Sequence, residues 1–200
     1  MKIRRFVEGP VMTNMYVVSD ENNEGFLVDC AYPSDRVKQY IEDNNIKINF
    51  IIQTHTHFDH VLGLEYFKNL YDVNVYASED SKEIANDKDY NLAYSYDVNV
   101  PIDNYLKDGE VFSKHNILAI KTPGHTLDSM SYKVDDVLFS GDTLFKQSIG
   151  RTDFPGGNYN QIIDSIKNKF SKFDGDTKVL SGHGEETTIS YEFNNNPFLI

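Results

Sequence analysis

"IIQTHTHFDHVLG", residues 51–63, places three of the chain's six histidines within six positions, with an aspartate directly before the last of them. The residues leading into it, "INFIIQT" at 48–54, are apolar and β-prone, as a strand buried on both faces requires. Imidazole suits zinc, iron and manganese, and carboxylate adds charged ligation. His55 and His57 stand two apart, so an extended loop can turn both toward one ion. Asp59 and His60 are adjacent and can turn toward a second. A structural zinc site would favour cysteine, and the chain has only one.

Outward from this stretch, polar residues with ligand chemistry recur behind apolar runs. "GFLV" ends in Asp29, "ILAIKTPG" in His125, "DVLFSG" in Asp142 and "KVLSG" in His183. Strand ends that share one sheet edge lie close in space, so these residues are expected around one cleft, on loops held by a rigid scaffold. His125 would complete the site of His55 and His57, His183 the site of Asp59 and His60, and Asp142 would bridge the two. Two such cations share a hydroxide whose pKa falls toward ~7. Asp29 reads as a group that orients a ligand or the backbone. His115 precedes a strand with no partner motif and is left outside the site. Cys30 reads as a small buried hydrophobe.

The remaining pattern is β-rich. Strands are expected at 2–7, 11–19, 24–30, 48–54 and 73–78, with a helix in "PSDRVKQYIEDNN" capped by Ser34 and a short helix from about Val61 to Leu70. Residues 79–105 read as a helix followed by a long loop. The second half repeats the outline, with strands in "HNILAIKT", "MSYKVD", "DVLFS" and "TKVLS". Its helix, "NYNQIIDSIKNKF", opens on Asn158 and Gln161 in the manner of a capping box. With no linker or low-complexity segment, residues 1–200 are expected to form one domain of two similar halves.

Composition narrows the partners. Hydrophobic residues make up 40%, enough for a sizeable core. A net charge of −12 without a basic run argues against nucleic acid and anionic membrane surfaces. "MKIRRFVEGP" has no apolar region behind its basic residues, so no signal peptide is expected. No apolar run approaches the roughly 20 residues of a spanning helix. A single cysteine forms no internal disulfide. A cytoplasmic protein is the default expectation. Oligomeric state is not legible.

With Asp29, "HTHFDH" at 55–60, His125, Asp142 and His183 in this order, the chain resembles the metallo-β-lactamase superfamily over essentially its whole length. "LFSGDTLFKQSIGRTDFPGG" and "SGHGEETTISYEFNNNPF" make it look most like the short, single-domain bacterial branch of the glyoxalase II group, the hydroxyacylglutathione hydrolases. The resemblance implies an α+β fold, an αββα four-layer sandwich with the metal cleft along one edge of two β-sheets. It also implies one or two divalent metal ions, zinc first, with iron or manganese as alternatives. The ligands would be His55, His57, Asp59, His60, His125, Asp142 and His183. Asp59 would also be catalytic, orienting the attacking hydroxide. Arg151, in "GRTDFPGG", falls where that group places a cationic substrate contact; pairing with Asp153 is the competing reading.

The expected activity is hydrolysis of small thioesters, in which metal ions polarise the carbonyl and generate hydroxide at neutral pH. The helical C-terminal domain and the tyrosine with which two-domain relatives hold glutathione are expected to be missing, since His183 is followed by Gly184, Glu185 and Glu186. Three other readings share the same residues. One is a persulfide dioxygenase with a single iron on His57 or His55, His125 and Asp142. The second is a lactone or phosphodiester hydrolase, and the third a non-catalytic metal-binding module. True β-lactamases usually carry cysteine in place of Asp142, which sets antibiotic hydrolysis lower.

Overall fold

The structure is a computed structural model that describes residues 1–200. Strands β1 (Lys2–Glu8), β2 (Thr13–Ser19), β3 (Glu24–Val28), β4 (Lys47–Ile52), β5 (Asn74–Ser78) and β6 (Asn104–Leu106) form one six-stranded sheet in sequence order. β1, β2 and β3 pair antiparallel, whereas β3 to β6 run parallel. The second six-stranded sheet uses β7 (Val111–Phe112), β8 (Ile117–Lys121), β9 (Met130–Val134), β10 (Val137–Gly141), β13 (Lys178–Ser181) and β14 (Thr187–Thr188), ordered β14-β13-β10-β9-β8-β7. Between β10 and β13 lies a small hairpin, β11 (Leu144–Phe145) and β12 (Ser148–Ile149).

Both faces of each sheet are covered, so successive side chains of a strand enter different cores. Tyr16, Val18, Phe26, Val28, Phe50 and Ile52 meet Ala119, Tyr132, Phe139 and Leu180 of the other sheet in a central core. Their neighbours Met15, Val17, Leu27 and Ile51 face the opposite way. They pack against Val37 and Ile41 of helix α1 (Asp35–Asp43) and against Leu64 and Phe67 of α3 (Leu64–Tyr71). On the far side, Ile120, Leu138 and Val179 receive Ile162 and Ile166 of α6 (Tyr159–Lys169) and Ile189 of α7 (Ile189–Asn195). This is the expected αββα sandwich. No helix is long and apolar enough to cross a membrane.

Helix starts follow local chemistry. Ser34 accepts from the Val37 N–H, Asn158 from the Gln161 N–H and Thr188 from the Tyr191 N–H, each satisfying an otherwise free amide.

Three expectations need correction. The single helix from Val61 to Leu70 is two, α2 (Phe58–Val61) and α3, broken at Gly63. There the Gly63 N–H donates to the Cys30 carbonyl at 2.8 Å, and a Cβ would fall 2.5 Å from the Tyr32 carbonyl carbon. The chain must turn at this point to keep Asp59 and His60 on the cleft. Residues 79–105 contain two single-turn helices, α4 (Ser81–Ile84) and α5 (Lys88–Asn91), and end in β6 rather than in loop. Periodicity is silent about one-turn helices, because they present no repeated face. Strands 11–19 and 24–30 are also trimmed to β2 and β3, since Met12 and Asp29 adopt positive φ of 61° and 53°.

Phe26 is fully buried and stacked on Phe50 at 5.0 Å between the sheets. Phe26→Ala is expected to lower unfolding free energy by about 3–5 kcal/mol in urea denaturation.

Candidate metal centre

Strand direction places the site. β8, β10 and β13 run the same way, because β9 lies antiparallel between β8 and β10 and β13 pairs parallel with β10. Their C-terminal ends, and those of the parallel β3 and β4, open on one edge of the sandwich. Asp29 follows β3, His55 to His60 follow β4, His125 follows β8, Asp142 follows β10 and His183 follows β13. The two sheets are clasped along this edge. The Met130 N–H donates to the Thr54 carbonyl at 2.8 Å, the Asn14 N–H to the Gly182 carbonyl at 2.6 Å, and the Tyr16 hydroxyl to the Ser181 carbonyl at 2.6 Å.

All seven residues expected as ligands come together, in two triads and a link. Ligand atoms of His55, His57 and His125 lie within 4.8 Å of one another, as do those of Asp59, His60 and His183; His55, His60 and Asp142 form the third such group. His125 Nε2 is 3.0 Å from His57 Nδ1. His183 Nε2 is 3.2 Å from Asp59 Oδ2 and 3.4 Å from Asp142 Oδ2, and His60 Nε2 is 3.4 Å from Asp142 Oδ1. Asp142 Oδ2 also lies 3.6 Å from His125 Nε2, so this carboxylate faces both triads. A tetrahedral ion with bonds of about 2.0–2.1 Å holds its ligand atoms about 3.3–3.4 Å apart, the same spacing. Buried Nε2 atoms of His55 and His60 and Oδ1 of Asp142 have no hydrogen-bond partner in the protein. Such atoms are costly unless something else satisfies them, and the donor set fits a divalent cation.

Each ring is oriented from behind. His60 Nδ1 lies 2.9 Å from Asp29 Oδ2, and Asp29 also accepts from the Thr54 N–H and hydroxyl, both at 2.8 Å. His125 Nδ1 donates to the Arg151 carbonyl at 2.7 Å, which leaves the Nε2 lone pair facing inward. Asp59 Oδ2 accepts from the Thr13 hydroxyl at 2.7 Å. Asp29 thus lies behind the His60 ring, on the side away from Asp142. Arg151 sits at the rim, its fork engaged by Asp153 at 2.9 and 2.8 Å and its guanidinium 4.2 Å above the Phe154 ring. His115 belongs to none of these groups and packs beside Phe26 and Phe50.

The sequence reading missed Thr13, Thr54, Asp128 and Gly182. Single hydroxyls carry no pattern, and Asp128 differs from the ligands only in where it points. Gly182 carried a signal in the repeated "SG" after apolar strands: a Cβ there would fall 2.1 Å from Asp142 Oδ1 and 2.6 Å from His60 Cε1.

Charge in the cleft is divided. Burial, aided by the neighbouring His60, holds His55 well below the usual imidazole range, and burial with His125 holds His57 down to about 3. For His60 burial pulls the same way but is outweighed by Asp59, Asp142 and Asp29, and its pKa is raised. Burial likewise opposes protonation of His183, yet hydrogen bonds to Asp142 and Asp59 raise it to about 9. Burial would raise Asp59, but the facing His60 charge and the bond to His183 lower it to about 2.

Two outcomes follow. A folded-state pKa of about 9 for His183 against 6.5 unfolded contributes stability that is whole below pH 6.5 and is lost as pH rises through about 9. Protein stripped by chelator should therefore melt at lower temperature as pH is raised from 6.5 to 9. Zinc should flatten that slope and release protons on binding, read by calorimetry in buffers of different ionisation enthalpy. Gly182→Ala should displace Asp142 and lower the number of zinc ions bound per chain, measured by elemental analysis, with Asp142→Asn acting in the same direction.

Comparison with known proteins agrees with this geometry. The family model described as "Metallo-beta-lactamase superfamily" matches residues 9–183. The chain is 35% identical to "Probable metallo-hydrolase YqgX" of Bacillus subtilis, covering 100% of this chain and 98% of that one. It is 29% identical to "Hydroxyacylglutathione hydrolase GloC" of Haemophilus influenzae, over 93% and 92%. Among solved structures, BLEG-1 B3 metallo-beta-lactamase superposes with a TM-score of 0.94 at 31% identity, covering 99% of each chain. TTHA1623, solved in a di-iron-bound form, superposes with a TM-score of 0.84 at 26% identity, over 98% of this chain and 100% of that one. A sandwich whose strand ends gather histidine and aspartate at one edge, matched by that model over most of its length, makes this chain a member of the metallo-beta-lactamase superfamily.

Proposed function

We propose that this chain is a metal-dependent hydrolase of small thioesters, close in chemistry to the hydroxyacylglutathione hydrolases. The observation that carries the hydrolytic part is the pair of three-residue groups facing a shared Asp142. In this reading His55, His57 and His125 would hold one cation and Asp59, His60 and His183 another, with Asp142 within reach of both groups. Bound divalent cations there supply Lewis acidity toward a carbonyl oxygen and lower the pKa of water toward ~7.

The chain's own groups do the rest. Thr13 holds one Asp59 oxygen, so the carboxylate keeps a fixed face toward the cleft and can orient a nucleophilic water. Asp29 and the Arg151 carbonyl keep the Nδ1 protons of His60 and His125 outward. His183, with 29% of its side chain exposed, lies at the mouth, where substrate enters. Phe58, stacked on Tyr96 at 5.2 Å, and Phe154, edge-on to His57 at 5.7 Å, give the rim apolar walls for an acyl or thiol portion. A thiolate leaves without a strong general acid, and the cleft offers no neutral carboxylic acid to act as one: both Asp59 and Asp142 are held below the usual carboxylate range, against burial, by the facing His60. Arg151 would meet a substrate carboxylate by exchanging it for Asp153. The 29% identical relative named as a hydroxyacylglutathione hydrolase supports the thioester assignment.

A second reading, β-lactam hydrolysis, is favoured by the 31% identical structure named as a B3 metallo-beta-lactamase. One experiment separates them. Protein purified without chelators is analysed for zinc, iron and manganese. It is then assayed anaerobically with S-lactoylglutathione and a generic thioester, and with a chromogenic cephalosporin. Thioester turnover without oxygen, with little cephalosporin turnover, is the expected result. Cephalosporin turnover alone, or, for the same protein in air, oxygen uptake with glutathione persulfide and no thioester turnover, overturns the thioester assignment. Asp59→Asn and His183→Ala should each lower thioester hydrolysis at least tenfold, roughly 1.4 kcal/mol of barrier. His115→Ala should leave rate and metal content unchanged.

A further inference from the structure

Asp128 is a buried carboxylate that the chemistry above leaves unused. It stands three residues beyond His125, in the turn between β8 and β9. Its Oδ2 accepts from the Thr56 hydroxyl at 2.7 Å and from the Ser81 hydroxyl at 2.9 Å, while its Oδ1 has no partner in the protein. Keeping a carboxylate from water is costly, and two neutral hydroxyl donors repay only part of that cost. An apolar side chain could fill the same turn without the penalty. The carboxylate's contribution therefore lies in what it holds.

What it holds is the back of the ligand loop. Thr56 separates His55 from His57, and neighbouring side chains on extended backbone point to opposite sides. The two rings lie on one side, 4.9 Å apart, and each is 4.9 or 4.6 Å from the His125 ring. Thr56 points the other way, into Asp128. One oxygen thus joins the backbone that carries His55 and His57 to the backbone that carries His125. Through Ser81, at the start of α4, it also fastens the segment after β5 to the same point. Thr126 and Ser129, bonded hydroxyl to hydroxyl at 2.7 Å, stiffen the turn from which Asp128 projects.

We propose that Asp128 is a positioning residue which, by accepting from Thr56 and Ser81, sets the mutual distances of His55, His57 and His125 and makes α4 part of the metal centre's frame. This rests on the reading that those three histidines hold a cation. It separates the loss of a ligand from the loss of ligand geometry: removing Asp128 takes no ligand away, but frees the loop to relax.

The test uses the full chain and two metals. Zinc affinity is measured by competition with a chromophoric chelator, and cobalt(II) absorption reports ligand geometry. Asp128→Ala and Thr56→Val are each expected to weaken zinc by about tenfold or more, as loss of groups that orient ligands typically does, and to change the cobalt spectrum. The double variant should bind zinc no more weakly than Asp128→Ala alone, because that substitution already removes the bond to Thr56. Asp128→Asn keeps the accepting oxygen and should restore affinity and spectrum close to wild type. Should Asp128→Ala not fold, Thr56→Val and Ser81→Ala carry the same comparison with the carboxylate in place. Wild-type affinity and spectrum in these variants, with only the melting temperature lowered, would overturn the positioning role and leave the metal reading standing. A wild-type chain that binds neither zinc nor cobalt overturns the metal reading and this inference with it.

Discussion

Parallel strand pairing is the constraint on which the rest of this structure depends. Parallel neighbours end on the same edge, so pairing β3 with β4 and β10 with β13 forces their following loops together. β9 reverses direction between β8 and β10, and so brings the end of β8 to that edge as well. Candidate ligand residues separated by more than a hundred positions thereby converge, on loops and on the single turn of α2. The central core holds the two sheets at a fixed distance, and Thr54, Asn14 and Tyr16 tie them at the edge itself. Small rotations between the sheets would open the gap between His57 and His125, which belong to different sheets and sit 3.0 Å apart. The dry core is thus what gives the polar edge its precision.

Inside the cleft, charge rather than packing governs. Asp59 and Asp142 are buried beside five imidazoles, and two buried carboxylates need positive charge close by. The protein's own supply is a proton on His60 and on His183, both of whose pKa values are raised by those carboxylates against the effect of burial. His55 and His57 are held neutral by burial, in the form in which imidazole binds metal. The centre is therefore divided into an all-histidine half, in which His55 and His57 are held neutral, and a half balanced by carboxylates. That division matches a site in which one cation is held by imidazoles and the other gains from charged ligation.

The surroundings of the cleft follow the same economy of contacts. Rings are turned by groups on neighbouring strands: Asp29 behind His60, the Arg151 carbonyl behind His125, Thr13 behind Asp59. Gly182 has no side chain because the Asp142 carboxylate and the His60 ring occupy the space one would need. Aromatic rings flank the His55–His60 segment: Phe58 is stacked on Tyr96, and Phe154 lies edge-on to His57 beneath the Arg151 guanidinium.

The amino-acid sequence by itself determined the apolar strands, the capped helices α1 and α6, and the set of residues in the cleft. Each of these is written locally. A short run of apolar, β-branched or aromatic residues marks a strand, a Ser34 or Asn158 before an amphipathic run marks a helix start, and histidine clustered behind apolar strands marks candidate ligands. Tertiary structure alone decided the break at Gly63, the two one-turn helices after β5 and the place of Asp128 behind Thr56. None of these has a local signature. Gly63 is forced by Tyr32, thirty-one positions earlier, and Thr56 meets Asp128 across seventy-two. The physical reason is that periodicity and capping act over a turn or a strand pair, whereas a steric contact or a buried hydrogen bond between distant segments exists only after the core has brought them together.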